Sequence, residues 1–492
     1  MAVSFGQRGR VPGTFADLGV DVMSMEQTTA TQSGDTAEET NWPLLKSERT
    51  WGQLELGVVL LVAAAATWCY IIGEYVGYYL NLKMGFASMT AGSMIGILLV
   101  TLAVVPSAGR YGIDSIVSAR PQFGSRGWII PVFLQYTSII GWNCLLLIFF
   151  GKTAVQLLLT IGVIDESLSG TAQAIATLLA CAVVFYVLLS GKTGIERISN
   201  VLFFFILGVG AWMTWLLLST KSDAIAAAEP AYASGSLRWD YVTGVEIGIV
   251  SLLSWWPYIG AMVRVAPNAS SAVKPAMLGM GLPVPLLSVI GLAAILALGI
   301  SDPSQWMVEL GGVFYGSIAL LFVLAANLGT AIIGVYATAV GLRSVPSFER
   351  LPWTATLLLG LVPVAIITVI LPDLFFSNFG TFLAFIGVFF APLCGIQIVD
   401  FLILRNQRLN LRALYDNSDS AAYYYWAGFN PAGLLGMAAG FVTYVYLLDP
   451  ITYASRAPYD FMTASLPAAV IGGLVFWIVT IAVRGAGRGG YD

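Results

Sequence analysis

Residues 254–264 read SWWPYIGAMVR and residues 67–77 read TWCYIIGEYVG. Each stretch lies in a long apolar run yet carries aromatic residues and glycine, and the first adds a proline. In hydrocarbon, a helix that loses a backbone hydrogen bond is penalised unless another group takes up the freed donor or acceptor. Such a stretch at membrane depth is either a tolerated kink or a break whose freed backbone has a use. The two stretches share the pattern W-x-Y-I, as Trp68-Cys69-Tyr70-Ile71 and Trp256-Pro257-Tyr258-Ile259, with Gly73 and Gly260 close by. What the repetition means depends on where the two fall in the topology.

The composition fixes the class. Of 492 residues, 58% are hydrophobic and 10% charged, against about 25% charged in a soluble domain. With repeated apolar runs of about 20 residues, this makes an all-α polytopic membrane protein. The net charge of −4 says little, because the distribution of Lys and Arg is what orients such a chain. Cys69, Cys144, Cys181 and Cys394 all lie in apolar runs, without zinc-type spacing, and read as small core residues. The chain has no histidine, which excludes a histidine metal site, relay or triad. Residues 1–50 are polar, lack a secretory apolar region and read as a disordered cytoplasmic tail, with Met23 or Met25 as alternative starts.

Hydropathy divides the remainder into twelve spans, at about 56–80, 86–106, 128–150, 171–190, 195–219, 242–262, 275–299, 312–341, 353–371, 375–402, 433–449 and 465–484. With the N-terminus cytoplasmic, the inside segments hold 18 Lys and Arg; the outside ones hold only Lys83, Lys152, Lys221, Arg238 and Arg456. That asymmetry obeys the positive-inside rule and places both termini in the cytoplasm of a cell-membrane protein. A missed span in the middle would scramble the later loops, so the asymmetry also supports the count.

On this topology, the break in span 1 runs inside to outside and its twin in span 6 the opposite way. Residues 51–220 and 240–405 are then two five-helix repeats of inverted topology, followed by two helices at 430–485. Interrupted helices at matching positions of inverted halves mark a substrate site near the midplane, where unwound backbone and half-helix ends bind ligand and ion.

Local patterns name a family. "ARPQFGSRG" (Ala119–Gly127) follows span 2, "IGWNC" lies in span 3, "YIGAMVR" follows the span 6 break with Ala261 where an Asp is common, "APLCGIQIVDFLILR" (Ala391–Arg405) forms span 10 and "YYWAGFNPAG" (Tyr424–Gly433) precedes span 11. In order and content these resemble the nucleobase–cation symporter family 1, the purine/cytosine permease and hydantoin/allantoin transporter group. The resemblance implies a leucine-transporter-type fold, five plus five inverted helices plus two. It also implies import of a small heterocycle by alternating access, coupled to H+ or Na+. The partners expected are that heterocycle and the bilayer, with no nucleic acid; the chain is read as a monomer without cofactor or metal.

Trp142 corresponds to the family's substrate-stacking tryptophan. It lies about 14 residues into its span, too deep for an interfacial belt. Asn143 follows it on a different face. Trp68 and Tyr70 at the first break join it as substrate-binding candidates. Trp255 and Trp256 point about 100° apart, so at most one of them faces the substrate, and Trp255 is taken as the candidate. In span 8, "AANLGTAIIGVYATA" (Ala325–Ala339) puts Asn327 and Thr330 at i,i+3, on one face. The family's span 8 gives an amide to the substrate and two hydroxyls to sodium. Many relatives read N-x-Y where this chain has Gly334-Val335-Tyr336, so that amide is either missing or supplied by Asn327. Asn327 could equally be interhelical glue. Glu74 is the one carboxylate well inside span 1, and an intramembrane carboxylate is a functional candidate by default. Glu74 and Thr330 are the cation or proton coupling candidates. With one hydroxyl in the window 327–330 and desolvation favouring a carboxyl that exchanges protons, H+ is favoured over Na+. Glu246 and Asp400, near span ends, read as structural.

An amino-acid or polyamine transporter of the same architecture is the alternative, against which the ARPQFG loop and Trp142 argue. A membrane enzyme would need a catalytic constellation, and none is present in the sequence.

Overall fold

The computed structural model describes residues 42–345 and 348–485. Residues 1–41 of the expected tail lie outside the described residues. All twelve spans are found among those described: nine apolar helices of membrane-crossing length, two bent pairs, and the 17-residue helix Pro431–Leu447. Span 1 is Gln53–Ala64 plus Thr67–Gly77, bent by 57°; span 6 is Leu237–Leu253 plus Trp256–Val263, bent by 42°. Span 2 is Leu82–Tyr111, span 3 Ile129–Thr160, span 4 Ser169–Leu188 and span 5 Gly191–Thr220. Span 7 covers Ala269–Leu298, span 9 Trp353–Ile370, span 10 Phe379–Leu404 and span 12 Ser465–Gly485. Span 8, Pro303–Leu342, is interrupted at Gly312, whose φ of 63° suits a residue without Cβ. Large apolar side chains such as Phe133, Tyr186 and Trp215 face outward, as a bilayer-facing surface requires and an aqueous one does not tolerate at this density.

The packing interlocks the two halves. Span 2 lies on span 6, where Gly92 and Gly96 let its backbone approach the carbonyls of Val245 and Ile249. Span 7 lies on span 1, where Gly291 approaches the carbonyl of Tyr70 and Gly73 that of Ser288. Exchanging spans 1–5 with 6–10 converts one contact into the other, as a two-fold in the membrane plane would. Close approach at small residues is how helices associate where no hydrophobic force drives them together. Gly73, read from sequence as part of the first break, instead serves this contact: the break falls at Ala65–Ala66. A Cβ on Gly73 would lie 1.8 Å from the Ser288 carbonyl oxygen and 2.8 Å from the Leu292 nitrogen. Neither backbone atom can step aside. Gly73→Ala is expected to cost about 1–3 kcal/mol and to lower the melting temperature of the purified protein by several degrees. Gly57→Ala, whose Cβ meets nothing within 4 Å, leaves it unchanged or raised.

Loops alternate between two faces. On one, Leu44 donates its N–H to Gly112, Trp51 to Val265, and the Arg120 guanidinium to the carbonyls of Leu414 and Ser344. These bonds join the segment before span 1 to the loops after spans 2, 6, 8 and 10. On the other, Tyr232 bonds Tyr78, and Arg238 pairs with Asp460 at 2.5 Å. The first face is the arginine-rich one. Residues 42–50 correct the expected tail boundary, because they are packed there. Leu44 is buried, Arg49 donates to the carbonyls of Leu44, Gly109 and Arg110, and Trp42 stacks on Tyr415 at 4.6 Å. Their polar composition hid one side chain, Arg49, that binds three backbone carbonyls.

Candidate functional site

The two breaks meet at the centre of the bundle, and span 8 holds the first of them open. At the break in span 1, the chain turns through Ala65 and Ala66 before the helix restarts at Thr67. The orphaned N–H of Thr67 donates to Asn327 Oδ1 at 3.0 Å, and the Thr67 hydroxyl to the same oxygen at 2.7 Å. On the other side of the break, the Thr330 hydroxyl donates to the Ala63 carbonyl at 3.1 Å and lies 3.3 Å from that of Ala326. Asn327 and Thr330, one turn apart, thus answer the freed backbone that a membrane helix cannot leave bare. Just past the break in span 6, Ser115 in the short helix Ser115–Phe123 inserts between the backbone groups of the second half-helix. Its hydroxyl donates to the Trp256 carbonyl at 2.6 Å and accepts the Gly260 N–H at 3.1 Å.

Three of the candidate aromatics come together here. Trp68 lies 5.6 Å from Trp142 and 5.9 Å from Trp255, ring centre to ring centre. Spans 1, 3 and 6 each supply one tryptophan. Phe379 and Phe382 of span 10 complete the wall at 5.4 and 5.8 Å from Trp142. These two were missed in the sequence because their i,i+3 spacing is lost in a phenylalanine-rich span. Trp256 turns away, its indole N–H on Gln397 Oε1 at 2.5 Å and its ring on Phe390. Tyr70 does not join the cluster. Two residues from Trp68, it projects about 200° round the helix, and its ring packs on Trp306 at 5.8 Å.

The polar groups around this cluster are conspicuous for lacking partners. The indole N–H groups of Trp68 and Trp142, the Nδ2 of Asn327 and both carboxamide atoms of Asn143 are buried without a hydrogen bond. Asn143 lies against Gly334 of span 8: a Cβ there would sit 2.6 Å from Asn143 Oδ1. Gly334 is one helical turn beyond Thr330, on the face that meets span 1. Unpaired buried polar atoms are rare in folded proteins, and each asks for a reason. An aromatic slot whose rings pack on one another, with amide and indole groups nearby, can part to stack a flat ring and hydrogen-bond its rim.

Glu74 stands apart from the slot. It lies two turns past the break, one turn above Tyr70 on the same helix face, and accepts the Tyr78 hydroxyl at 2.7 Å. It is 8% exposed. Glu246 and Asp400 are structural. Glu246 accepts the N–H groups of Ala464 and Ser465 and the Ser465 hydroxyl, so it caps span 12. Asp400 pairs with Arg405 at 2.9 Å and takes the Gln122 amide at 2.5 Å. Thr338, the next threonine along span 8, bonds back to Gly334 of its own helix and faces Gly360 of span 9, away from the break.

Known proteins place the chain. Its residues 43–476 match the family model described as permease for cytosine/purines, uracil, thiamine, allantoin. It is 25% identical over 467 residues to the purine-uracil permease NCS1 of Arabidopsis thaliana, covering 89% of this chain and 76% of that one. It is 24% identical over 445 residues to the hydantoin permease of Microbacterium maritypicum, covering 85% and 87%. Its fold matches that of Mhp1, a nucleobase-cation-symport-1 family transporter solved with bromovinylhydantoin bound, with a TM-score of 0.74, 18% identity and coverage of 91% and 96%. The twelve spans, the paired breaks and a family match along most of the chain make it a multi-pass membrane transporter, not an enzyme, and a member of the cytosine/purine, uracil, thiamine and allantoin permease family.

Proposed function

We propose that this protein imports a nucleobase or related N-heterocycle across the cell membrane by proton symport. The observation that carries this is the slot at the two breaks, where Trp68, Trp142 and Trp255 pack on one another beside buried polar groups that lack hydrogen-bond partners. A planar heterocycle has two apolar faces and a polar rim, and this slot offers walls for the first and donors for the second. The relatives named as purine-uracil and hydantoin permeases support that substrate class. Residues 51–220 and 240–405 act as the two inverted repeats of alternating access, with 430–485 appended.

Two features favour H+ over Na+. Na+ needs several converging oxygens. At the span 1 break, one hydroxyl, Thr330, already donates to one of the carbonyls, and its neighbour Gly329 has no side chain to add. Glu74, by contrast, is a buried carboxyl on the second half of span 1, hydrogen-bonded by a phenol.

Uptake of radiolabelled cytosine, uracil, hypoxanthine and allantoin into proteoliposomes tests the function. Accumulation of at least one of them under an imposed pH gradient is expected. Equilibration without accumulation would make the protein a channel, and no uptake of any would remove the substrate class. The arginine-rich face is assigned to the cytoplasm. A C-terminal reporter is therefore expected to be active inside the cell; activity only outside would require an odd number of spans.

A further inference from the structure

We propose that the Asn143 carboxamide reads the rim of the transported ring, pairing with an edge that carries a hydrogen-bond donor and acceptor side by side. This inference rests on the heterocycle-transport reading and names the residue that sets its specificity.

Span 3 faces span 8 through two amides, and they differ in a telling way. Gln135 lies against Gly341 much as Asn143 lies against Gly334. Gln135 Nε2 donates to the Ala337 carbonyl at 3.0 Å, so that amide ties the two helices together through its nitrogen, though its Oε1 is unpaired. Asn143 is 1% exposed, and neither its oxygen nor its nitrogen finds a partner. A buried amide left unpaired costs more than an apolar side chain of its size. If Asn143 served only to pack span 3 on span 8, leucine would do so better. Its place gives it a use. Its side chain turns about 100° from that of Trp142, toward span 8, where Gly334, on the same face as Asn327 and Thr330, leaves the room its carboxamide occupies. A carboxamide presents one N–H donor beside one C=O acceptor in a plane. Its complement is a ring edge with the same pair reversed, as in a lactam, an imide or an amidine. A site that hydrogen-bonds such an edge rejects an analogue in which the donor is blocked, because its own polar atoms are then stranded. The indole N–H groups of Trp68 and Trp142 and Asn327 Nδ2 supply further donors for ring carbonyls.

The test is equilibrium binding of radiolabelled uracil, hypoxanthine, cytosine and allantoin to the full chain in lipid nanodiscs, run beside proteoliposome uptake. For the tightest binder, wild type is expected to prefer the parent over an analogue N-methylated on the donor–acceptor edge by about tenfold or more, the worth of two ordinary hydrogen bonds. Asn143→Leu is expected to melt no lower than wild type, to bind the parent about tenfold more weakly, and to bind parent and methylated analogue equally. Gly334→Ala keeps the amide but displaces it, and is expected to give the same loss of discrimination; it decides the matter if Asn143→Leu does not reach the membrane. Wild-type affinity and discrimination in either variant would overturn the proposal while leaving transport standing. Binding without uptake would overturn the transport reading alone, and binding of none of the four would overturn both.

Discussion

Trp142→Ala is expected to raise the apparent transport constant roughly 5- to 150-fold while the protein remains in the membrane. The estimate comes from stacking of a base on an aromatic side chain, worth about 1–3 kcal/mol by alanine substitution. Trp142 is the hub of the aromatic wall, with Trp68, Phe379 and Phe382 all within 5.8 Å of its ring. Those rings meet Trp142 edge to face, at angles of 69° to 75°. A substrate that stacks on it therefore replaces an edge contact with a face contact, a gain realised only with ligand bound. Trp142→Phe keeps a smaller face and is expected to fall between wild type and alanine. Trp256→Phe is the control: a tryptophan one residue from Trp255 whose N–H is committed to Gln397, expected to affect stability more than the transport constant. The measurement is concentration-dependent uptake, normalised to protein in the membrane. A wild-type constant in a correctly inserted Trp142→Ala variant would remove this residue from the site.

The sequence was most legible where the physics is one-dimensional. A helix in hydrocarbon satisfies its own backbone, so span ends follow from hydropathy. The expected start of span 8, residue 312, is instead the interruption at Gly312 within a span that starts at Pro303. The breaks were visible through W-x-Y-I but not their cause. No proline or glycine sits at Ala65–Ala66; what holds the chain open is Asn327 and Thr330, 260 and more residues away. Direction was the harder quantity. Trp255 and Trp256, or Trp68 and Tyr70, are interchangeable in composition, and the neighbouring spans decide which ring each meets. Span 10 takes Trp256 through Gln397, and Trp306 takes Tyr70. Asn143 carried a signal that went unused, a carboxamide in the middle of an apolar run beside the key tryptophan. What the sequence lacked was the fact that gives it weight, that neither of its polar atoms is paired.

Glu74→Gln is expected to abolish accumulation while sparing exchange. Glu74 is buried on the half of span 1 beyond the break and accepts the Tyr78 hydroxyl. Next to it, Tyr78 packs on Tyr232 at 5.0 Å, and the Tyr232 N–H is bonded to the Tyr78 carbonyl. The carboxyl therefore sits where the break-bearing half-helix meets the loop before span 6, a contact that must loosen whenever that face opens. A carboxyl at this depth is cheapest when neutral. Under the proposed proton coupling, it would take a proton from the more acidic side when the site opens there and give it up on the other side, so uptake is expected to rise as the outside becomes more acidic. A pH step of one unit stores about 1.4 kcal/mol per proton, enough for about tenfold accumulation of a neutral solute at one proton each. Glutamine keeps the shape and an acceptor for Tyr78 but cannot release a proton. In proteoliposomes, wild type is expected to accumulate substrate under a pH gradient without sodium, and not under a sodium gradient at equal pH. Glu74→Gln is expected to lose the first while still exchanging labelled for unlabelled substrate across the membrane at equal pH. Loss of exchange as well would assign Glu74 to the substrate and not the proton. Accumulation driven by sodium alone, unchanged in Glu74→Gln, would move coupling to the oxygens of Ala63, Ala326 and Thr330 and sink the proton assignment.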